Sequence, residues 1–199
     1  MKLTRAYYQQ PDVVALARDL VGKYLFTRID GVLTGGRIVE TEAYAHIADQ
    51  ACHSHLGRFT KRTRVMYEAG GVAYVYLIYG RYALFNIITN VAGKADAVLI
   101  RGLEPTVGLA EMQLRRGLAR PVRNLTAGPG LLTQALGITV QHYGTDLTQD
   151  LIWLEDHHEP VPAEELIASP RVGIDYAGTD AALPWRFRLK GSPWTSPAK

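Results

Sequence analysis

The sequence predicts a single α+β domain over residues 1–199, in which helices surround a mixed, mainly antiparallel β-sheet. Its strand and helix patterns do not alternate in the regular order that a parallel βαβ sheet requires. No internal repeat, low-complexity segment or long Pro/Gly/Ser linker divides the chain. With 47% hydrophobic and 21% charged residues, a chain of this length buries about 70% of the surface that its unfolded form exposes.

Three segments carry helix signals. The apolar positions after Pro11 predict an amphipathic helix with this proline at its first position and Gly22 at its end. Glu104-Pro105 predicts a second helix that runs to about Gly117. Gly128-Pro129 predicts a shorter third helix that ends at Gly137.

Strand signals fill much of the remaining chain. A hairpin signal at Asp30-Gly31 separates two short strands, and Gly80-Arg81 joins two longer ones. The predicted strands cover residues 23–27, 31–34, 37–44, 72–79, 83–89, 97–101, 151–154 and 185–190. In the last strand, alternation predicts a buried row and a basic row on opposite faces, formed by Trp185, Phe187 and Leu189 and by Arg186, Arg188 and Lys190.

Composition restricts the class of protein. A single cysteine, Cys52, excludes an internal disulfide and indicates a reducing compartment. No run of about 18 apolar residues could span a membrane, and the first twenty residues lack the apolar stretch of a signal peptide. We therefore expect the protein in the cytoplasm, associated with the nucleoid, if the source is bacterial, and in the nucleus if the source is eukaryotic.

The charge is unevenly distributed around a net value of +3. Residues 124–170 contain no Lys or Arg. Two basic runs contain Arg58, Lys61, Arg62 and Arg64, and Arg115, Arg116, Arg120 and Arg123. This segregation predicts a positive face that docks on phosphates, although solvated helix and loop faces would give the same pattern.

The segment 37–44 holds two closely spaced carboxylates. In an extended strand Ile38, Glu40, Glu42 and Tyr44 share one face. If that face lines a pocket, one carboxylate could act on water as a general base, and the two pKa values should be pushed apart. The alternative is an edge strand whose two Glu side chains are only solvated.

The segment 73–82 is rich in tyrosine. Tyr74 and Tyr76 share one strand face, whereas Tyr79 lies on the other face beside a glycine turn and Arg81. An aromatic ring that projects from a hairpin is a shape that can push between stacked bases. The alternative is that all of these rings belong to a core, which for Tyr74 or Tyr76 alone is the better interpretation.

Metal, nucleotide and phosphate sites have weaker signals. Cys52, His53 and His55, with Asp49 or the pair His157-His158, could offer ligands, but neither HExxH nor CxxC occurs. P-loop, GxGxxG and GxSxG patterns are also missing, so we expect neither a metal nor a cofactor. The helix start at Gly128 could hold a phosphate, or could be a plain Gly-Pro helix start.

Taken in order, these segments resemble the alkyladenine (3-methyladenine) DNA glycosylase family, and the resemblance extends from about Leu16 to Trp194. The motif in 37–44 has the core Glu-Thr-Glu-Ala-Tyr, and six further motifs follow it in order. They are residues 51–54, 74–86, 99–105, 127–130, 171–173 and 188–194.

The family resemblance implies a role for each matching position. Glu42 would deprotonate the attacking water, and the backbone carbonyl of Arg101 would help to hold it. Glu40 would only support this site. The other implied roles are a purine sandwich between Tyr44 and Tyr76, an edge contact from His53, a pocket wall at Asn86 and a wedge at Tyr79.

The resemblance also implies a curved sheet with a protruding hairpin that enters the DNA minor groove. Many relatives carry a lysine where this chain has Leu131, and often an apolar residue where it has Arg81. Contacts with the DNA backbone are expected from Arg58, Arg62, Arg81, Gly128 and Gly130.

The implied activity is base excision repair. The enzyme would flip 3-methyladenine, 7-methylguanine, hypoxanthine or etheno-adenine out of duplex DNA and leave an abasic site without cutting the strand. We expect damaged double-stranded DNA as the partner, and neither a membrane nor an obligate protein partner. Alternatives are a non-catalytic lesion-binding protein of the same fold and a metal-dependent hydrolase built on Cys52, His53 and His55.

Overall fold

One long strand, β2 (Val32–Tyr44), is the centre of an eight-stranded sheet. The computed structural model describes residues 1–46, 48–120 and 124–197. The other strands are β1 (Tyr24–Ile29), β3 (Val72–Ile78), β4 (Tyr82–Thr89), β5 (Asp96–Val107), β6 (Ile152–Glu155), β7 (Leu166–Ser169) and β8 (Arg186–Leu189). The order is β3-β4-β5-β2-β1-β6, and β8 pairs with both β2 and β7. All of these ladders are antiparallel.

Short helices cover this open, curved sheet, so the predicted single-domain α+β class is confirmed. They are α1 (Arg5–Tyr8), α2 (Val13–Asp19), α3 (Leu109–Arg115) and α4 (Pro129–Leu136). Within the described residues, five 3₁₀ segments lie between the strands, at His55–Gly57, Arg64–Tyr67, Val140–His142, Ala163–Glu165 and Asp175–Ala182. No helix in the described part of the chain has the length and apolarity needed to cross a membrane.

Helices α2 and α4 lie where the sequence predicts them, but α2 begins differently. Asp12, and not Pro11, sets its start, because the Asp12 carboxylate accepts hydrogen bonds from the backbone N–H groups of Val14 and Ala15. Helix α4 begins after Gly128 and ends at Gly137, as expected.

The helix predicted from Glu104-Pro105 is wrong over its first third. Strand β5 continues to Val107, and α3 begins only at Leu109 after Gly108, whose φ is +76°. Pro105 lies opposite Gly36 of β2, next to a register shift in the ladder. A proline is tolerated at such an irregularity, and pairing with β2 outweighs the local helix signal.

Gly35 and Gly36 do not end a strand, as the sequence suggests, but allow β2 to continue between two close neighbours. A Cβ atom on Gly36 would lie 2.0 Å from the Glu104 carbonyl oxygen, and one on Gly35 would lie 2.3 Å from the Phe26 ring. The glycines therefore bring β1, β2 and β5 together along the centre of the sheet.

The main hydrophobic core lies between α2, α4 and the sheet. Ile38 and Ala43 of β2 belong to it, together with Leu16 and Ala17 of α2. The ladder between β2 and β5 shifts register on both sides of Glu40. Such a bulge interrupts the alternation of side chains, so Ile38 packs in this core and the prediction that it shares a face with the two carboxylates is wrong.

The predicted basic row on the last strand is wrong at its first member. Phe187 is buried as expected, but Arg186 is also buried, since β8 pairs with residues 40–42 of β2. Its guanidinium donates to the Glu40 carboxylate over 2.7 Å.

The two basic runs differ in exposure. Arg58, Lys61, Arg62 and Arg64 are all exposed. In the second run, Arg115 pairs with Glu111 and donates to the Ile29 carbonyl, and Arg116 donates to the Leu125 carbonyl. Arg115 and Arg116 therefore also make structural contacts. Arg123 lies outside the described residues.

Gly36→Ala should destabilise the fold by about 3 kcal/mol, because its new methyl group would overlap the β5 backbone and force the strands apart. Gly31→Ala is the control, since a Cβ there meets nothing within 4 Å and only its positive φ is unfavourable. We expect a cost of about 1 kcal/mol for the control. Urea unfolding measures both free energies, and equal values would contradict the close approach of β2 and β5.

Candidate active site

Two fully buried carboxylates lie on the second half of β2. Glu40 and Glu42 are both 0% exposed, because β5 and β8 flank this part of the strand. The alternative of a solvated edge strand is therefore excluded. A buried carboxylate needs partners to remain charged, and each of the two has several.

Glu42 receives hydrogen bonds from three directions. The Tyr44 hydroxyl donates over 2.8 Å, the Val172 backbone N–H over 2.8 Å and the Arg101 guanidinium over 3.3 Å. Burial raises the pKa of the Glu42 carboxyl, and this effect exceeds the lowering by Arg101, Val172 and Tyr44. An oriented carboxylate with a raised pKa is suited to accept a proton near neutral pH.

Glu40 is more strongly paired. Its carboxylate accepts from Arg101 over 2.9 Å, from Arg186 over 2.7 Å and from both the N–H and the hydroxyl of Ser196. Burial disfavours its charge, but Arg101, Ser196 and Arg186 together hold the pKa of Glu40 below its usual range. The pKa values of the two carboxyls are thus shifted in opposite directions, as the sequence predicts for a close pair.

A cavity of about 890 Å³ opens beside Glu42. It brings together most of the predicted site residues, which are Tyr44, His53, Arg62, Tyr76, Tyr79, Asn86, Arg101, Gly128 and Gly130. Glu42 itself lies behind this wall, one hydrogen bond from the lining residues Tyr44, Arg101 and Val172. Arg58 and Arg81 are not among the lining residues.

An aromatic cluster forms one part of the cavity wall. The His53 ring meets the Tyr76 ring edge to face, with 4.8 Å between centroids. A hydrogen bond of 2.8 Å joins His53 Nδ1 to the Tyr74 hydroxyl. Burial and the positive charges of Arg62 and Arg58 lower the pKa of His53 to about 4, so its imidazole is neutral at physiological pH.

Tyr74 and Asn86 define the floor of this region. Tyr74 is buried in a small core with Cys52 and Met66, as the simpler interpretation of the sequence predicts. Asn86 lies opposite Tyr74 on β4, and its amide donates to the Tyr74 carbonyl over 3.1 Å. This bond fixes the orientation of the Asn86 side chain at the cavity.

Tyr44 is supported by a residue to which the sequence analysis gave no role. The Arg171 guanidinium lies between two rings, 4.8 Å from the Tyr44 centroid and 5.1 Å from that of Trp185. It also forms a buried two-pronged ion pair with Asp49, over 2.5 and 2.8 Å. Arg171 opens the motif 171–173, but only its spatial partners show what it does.

Tyr79 lies at the tip of the hairpin between β3 and β4. The Arg81 N–H donates to the Ile78 carbonyl, and Tyr79 and Gly80 both have positive φ values, of 53° and 63°. This is the turn type that favours Asn or Gly at both central positions. Tyr79 is nevertheless 89% exposed there, so a strained backbone presents an unpacked aromatic ring.

The start of α4 contacts strand β5 beside the cavity through the backbone. The Gly128 N–H donates to the Arg101 carbonyl over 2.9 Å, so this carbonyl already has a partner. The Arg101 side chain, and not its carbonyl, reaches Glu42. A Cβ on Gly130 would lie 3.0 Å from the Tyr82 ring, which explains the glycine at that position.

The cysteine–histidine segment forms no metal-binding cluster. Cys52 Sγ lies 3.1 Å from the Ser54 hydroxyl, and Asp49 is paired with Arg171. Within the described residues, no group of three His, Cys, Asp or Glu side chains could hold a metal ion.

Comparison with known proteins identifies the family. Residues 6–193 match the family model described as methylpurine-DNA glycosylase. The chain belongs to the methylpurine-DNA glycosylase family. Membership makes it a DNA glycosylase of base excision repair, and the resemblance in its sequence is confirmed.

Bacterial relatives match this glycosylase over nearly their whole length. A Bacillus cereus (strain B4264) protein is 44% identical over 95% of this chain and 96% of its own. Proteins of Bacillus thuringiensis (strain Al Hakam) and Bacillus mycoides (strain KBAB4) are each 43% identical over 95% of this chain and 96% and 97% of theirs. All three bear the provisional name 3-methyladenine DNA glycosylase.

His53 should titrate near pH 4 and remain neutral between about pH 5 and 8. Arg62→Gln should raise this pKa by removing one neighbouring positive charge. NMR titration of the imidazole signals, assigned with a His53→Gln variant, measures both values. A wild-type midpoint at the ordinary value of about 6.5 would contradict the burial of His53.

Proposed function

We propose that this protein is a monofunctional glycosylase that turns an alkylated or deaminated purine out of duplex DNA and hydrolyses its N-glycosidic bond. The attacking water is activated by Glu42, and the product is an abasic site in an uncut strand. One observation carries the proposal. A buried carboxylate with a raised pKa, oriented by three donors, lies against the wall of an aromatic cavity.

Glu42 supplies the base in this reaction. The water oxygen forms a bond to the sugar C1′ as the C1′–N bond breaks. The electron pair of the C1′–N bond leaves with the purine, and one proton of the water passes to the Glu42 carboxylate. The negative charge of Glu42 also stabilises the positive charge that develops on the sugar. Because only the ionised carboxylate does this, the rate falls as pH drops through the raised pKa of Glu42.

Arg101 acts through its side chain in this proposal. Its guanidinium donates to both Glu40 and Glu42, and it is itself buried. A positive charge beside Glu42 favours the ionised form that the reaction needs. The family resemblance implies that the backbone carbonyl of Arg101 helps to hold the water, whereas the hydrogen bonds of the Arg101 guanidinium support this group as the one that orients the base.

The cavity has the lining that an everted purine requires. Stacking of a base on an aromatic side chain contributes about 1 to 3 kcal/mol and tolerates different ring systems. Tyr44 and Tyr76 supply two such rings, and the neutral His53 supplies an edge contact. Asn86, fixed by the Tyr74 carbonyl, presents a polar group that discriminates among purines. This supports a range that includes 3-methyladenine, 7-methylguanine, hypoxanthine and etheno-adenine.

Tyr79 is the wedge in this proposal. Extruding a nucleotide costs a few kcal/mol of lost stacking and pairing, and a ring inserted in its place offsets part of this cost. Strained backbone conformations are common at functional sites. Tyr79 has a positive φ, and its ring is exposed to solvent.

Contacts with the DNA backbone would flank the wedge and the cavity. Arg58 and Arg62 are exposed, and Arg62 also lines the cavity. Arg81 follows the wedge in the hairpin turn. Gly130 lies in the first turn of α4, where backbone N–H groups favour an anion, and Gly128 precedes this turn with its own N–H bonded to the Arg101 carbonyl. Duplex DNA with a damaged purine is the only partner that the proposal requires.

Glu42→Gln should lower excision by about 10³-fold or more, because the amide keeps the shape of the side chain but cannot accept the proton. Lesion binding should change little. The assay uses a duplex with one hypoxanthine and excess protein, and detects strand breaks only after alkali treatment. Wild-type protein that yields no alkali-labile site would favour a non-catalytic lesion-binding protein, and breaks before alkali would contradict the monofunctional assignment.

Tyr79→Asn should impair excision from a duplex by about tenfold and leave a single-stranded substrate nearly unaffected. Asparagine accepts the positive φ of this position better than tyrosine does, so the turn remains while the ring is lost. Tyr176→Phe, at another exposed tyrosine of the cavity rim, is the control for loss of a surface hydroxyl. Equal losses on both substrates would contradict the wedge role.

A further inference from the structure

Ser196, near the C-terminal end of the described residues, contacts the buried carboxylate of Glu40. Ser196 is 6% exposed. Its N–H donates to Glu40 Oε2 and its hydroxyl lies 2.7 Å from Glu40 Oε1. The same hydroxyl oxygen lies 3.1 Å from Nη2 of Arg101 and 3.1 Å from Nη2 of Arg186.

These contacts use the full capacity of a serine hydroxyl, which has one donor and two acceptor sites. The proton goes to Glu40, and the two lone pairs accept from the two guanidinium groups. The Ser196 carbonyl accepts a further bond from Arg186 over 3.0 Å. Ser196 thus joins three charged side chains from three strands, β2, β5 and β8.

The network ends at the proposed base. Arg101 donates through Nε to Glu40, through Nη2 to Ser196 and through Nη1 to Glu42. The first two bonds fix the plane of the guanidinium, and the third is its longest, at 3.3 Å. Without the Ser196 hydroxyl, only the bond to Glu40 and the longer bond to Glu42 would hold this plane.

We propose that Ser196 is a positioning residue of the glycosylase, which fixes the Arg101 guanidinium against Glu42 through the network with Glu40 and Arg186. This inference rests on the proposed role of Glu42 as the base. Ser196 is not among the described residues that line the cavity, so it acts on Glu42 only through the side chains that it contacts, chiefly Arg101. A C-terminal residue thereby becomes part of an active site whose base lies in the first quarter of the chain.

The position of Arg101 affects the pH dependence of the reaction through the charges around Glu42. Glu42 faces Arg101 of β5, Tyr44 and Glu40 of its own strand, Arg186 opposite on β8, and the loop residues Arg171 and Val172. Among these, Arg101 lowers the pKa of Glu42 most after burial has raised it. A loosened Arg101 therefore raises this pKa further, and the acidic limb of the rate profile moves to higher pH.

The test compares Ser196→Ala with Ser196→Thr, which restores the hydroxyl, by single-turnover excision of hypoxanthine between about pH 5 and 8. Ser196→Ala should lower the rate about tenfold at neutral pH and shift the acidic limb upward by about half a pH unit. The dissociation constant for lesion DNA should stay within about twofold. Ser196→Thr should restore both the wild-type rate and the wild-type position of the acidic limb.

Two further variants separate positioning from folding. Thr195→Ala removes a hydrogen bond within the C-terminal segment, from Thr195 to the Ser192 carbonyl, without touching the network, and should behave as wild type. Ser196→Cys keeps a small side chain with a weaker donor and acceptor, and replaces Ser196→Ala if thermal unfolding shows that the alanine variant does not fold.

The outcomes distinguish this inference from the proposed function. An inactive wild-type protein would refute the proposed function and the inference with it. An active wild-type protein with a folded Ser196→Ala variant of unchanged rate and acidic limb would refute the inference alone. A loss without a shift of the limb, and without recovery in Ser196→Thr, would also overturn it, because a general structural defect would then explain the result.

Discussion

The site depends on a buried electrostatic network in which two carboxylates share one guanidinium. Arg101 pairs with Glu40 over 2.9 Å and with Glu42 over 3.3 Å, and Arg186 adds a second positive charge on Glu40. Buried ion pairs contribute little net stability, because desolvation offsets their attraction. In the proposed function, the network holds Glu40 among four donors and orients Glu42 behind the wall of the cavity.

The fold is arranged to make this network possible. The glycines of β2 let β1 and β5 approach closely, and the bulge around Glu40 turns the carboxylates away from the core that holds Ile38. Strand β8 brings Arg186 opposite Glu42, and Ser196 covers Glu40. Strands β5 and β8 flank Glu42 and leave it fully buried, and in the proposed function the substrate approaches it from the aromatic cavity.

Sequence reasoning succeeds where the determining interactions are local. The hairpin at Gly80 and helix α4 between two glycines follow from short-range turn and capping rules. It fails where distant residues decide, as when pairing with β2 turns residues 104–107 into strand. Arg186 pairs with Glu40 across 146 residues of sequence, and Arg171 pairs with Asp49 across 122. Neither spacing nor periodicity could therefore predict these ion pairs. The aromatic site residues were accessible mainly through the family resemblance.

A structure of the Glu42→Gln variant bound to a hypoxanthine-containing duplex tests the central claim most directly. The account predicts that the purine lies outside the helix, in the cavity between Tyr44 and Tyr76. The side chain at position 42 should face the sugar C1′ across one water molecule. A hypoxanthine that remains stacked in the duplex, or an everted base whose sugar lies far from position 42, would contradict the account.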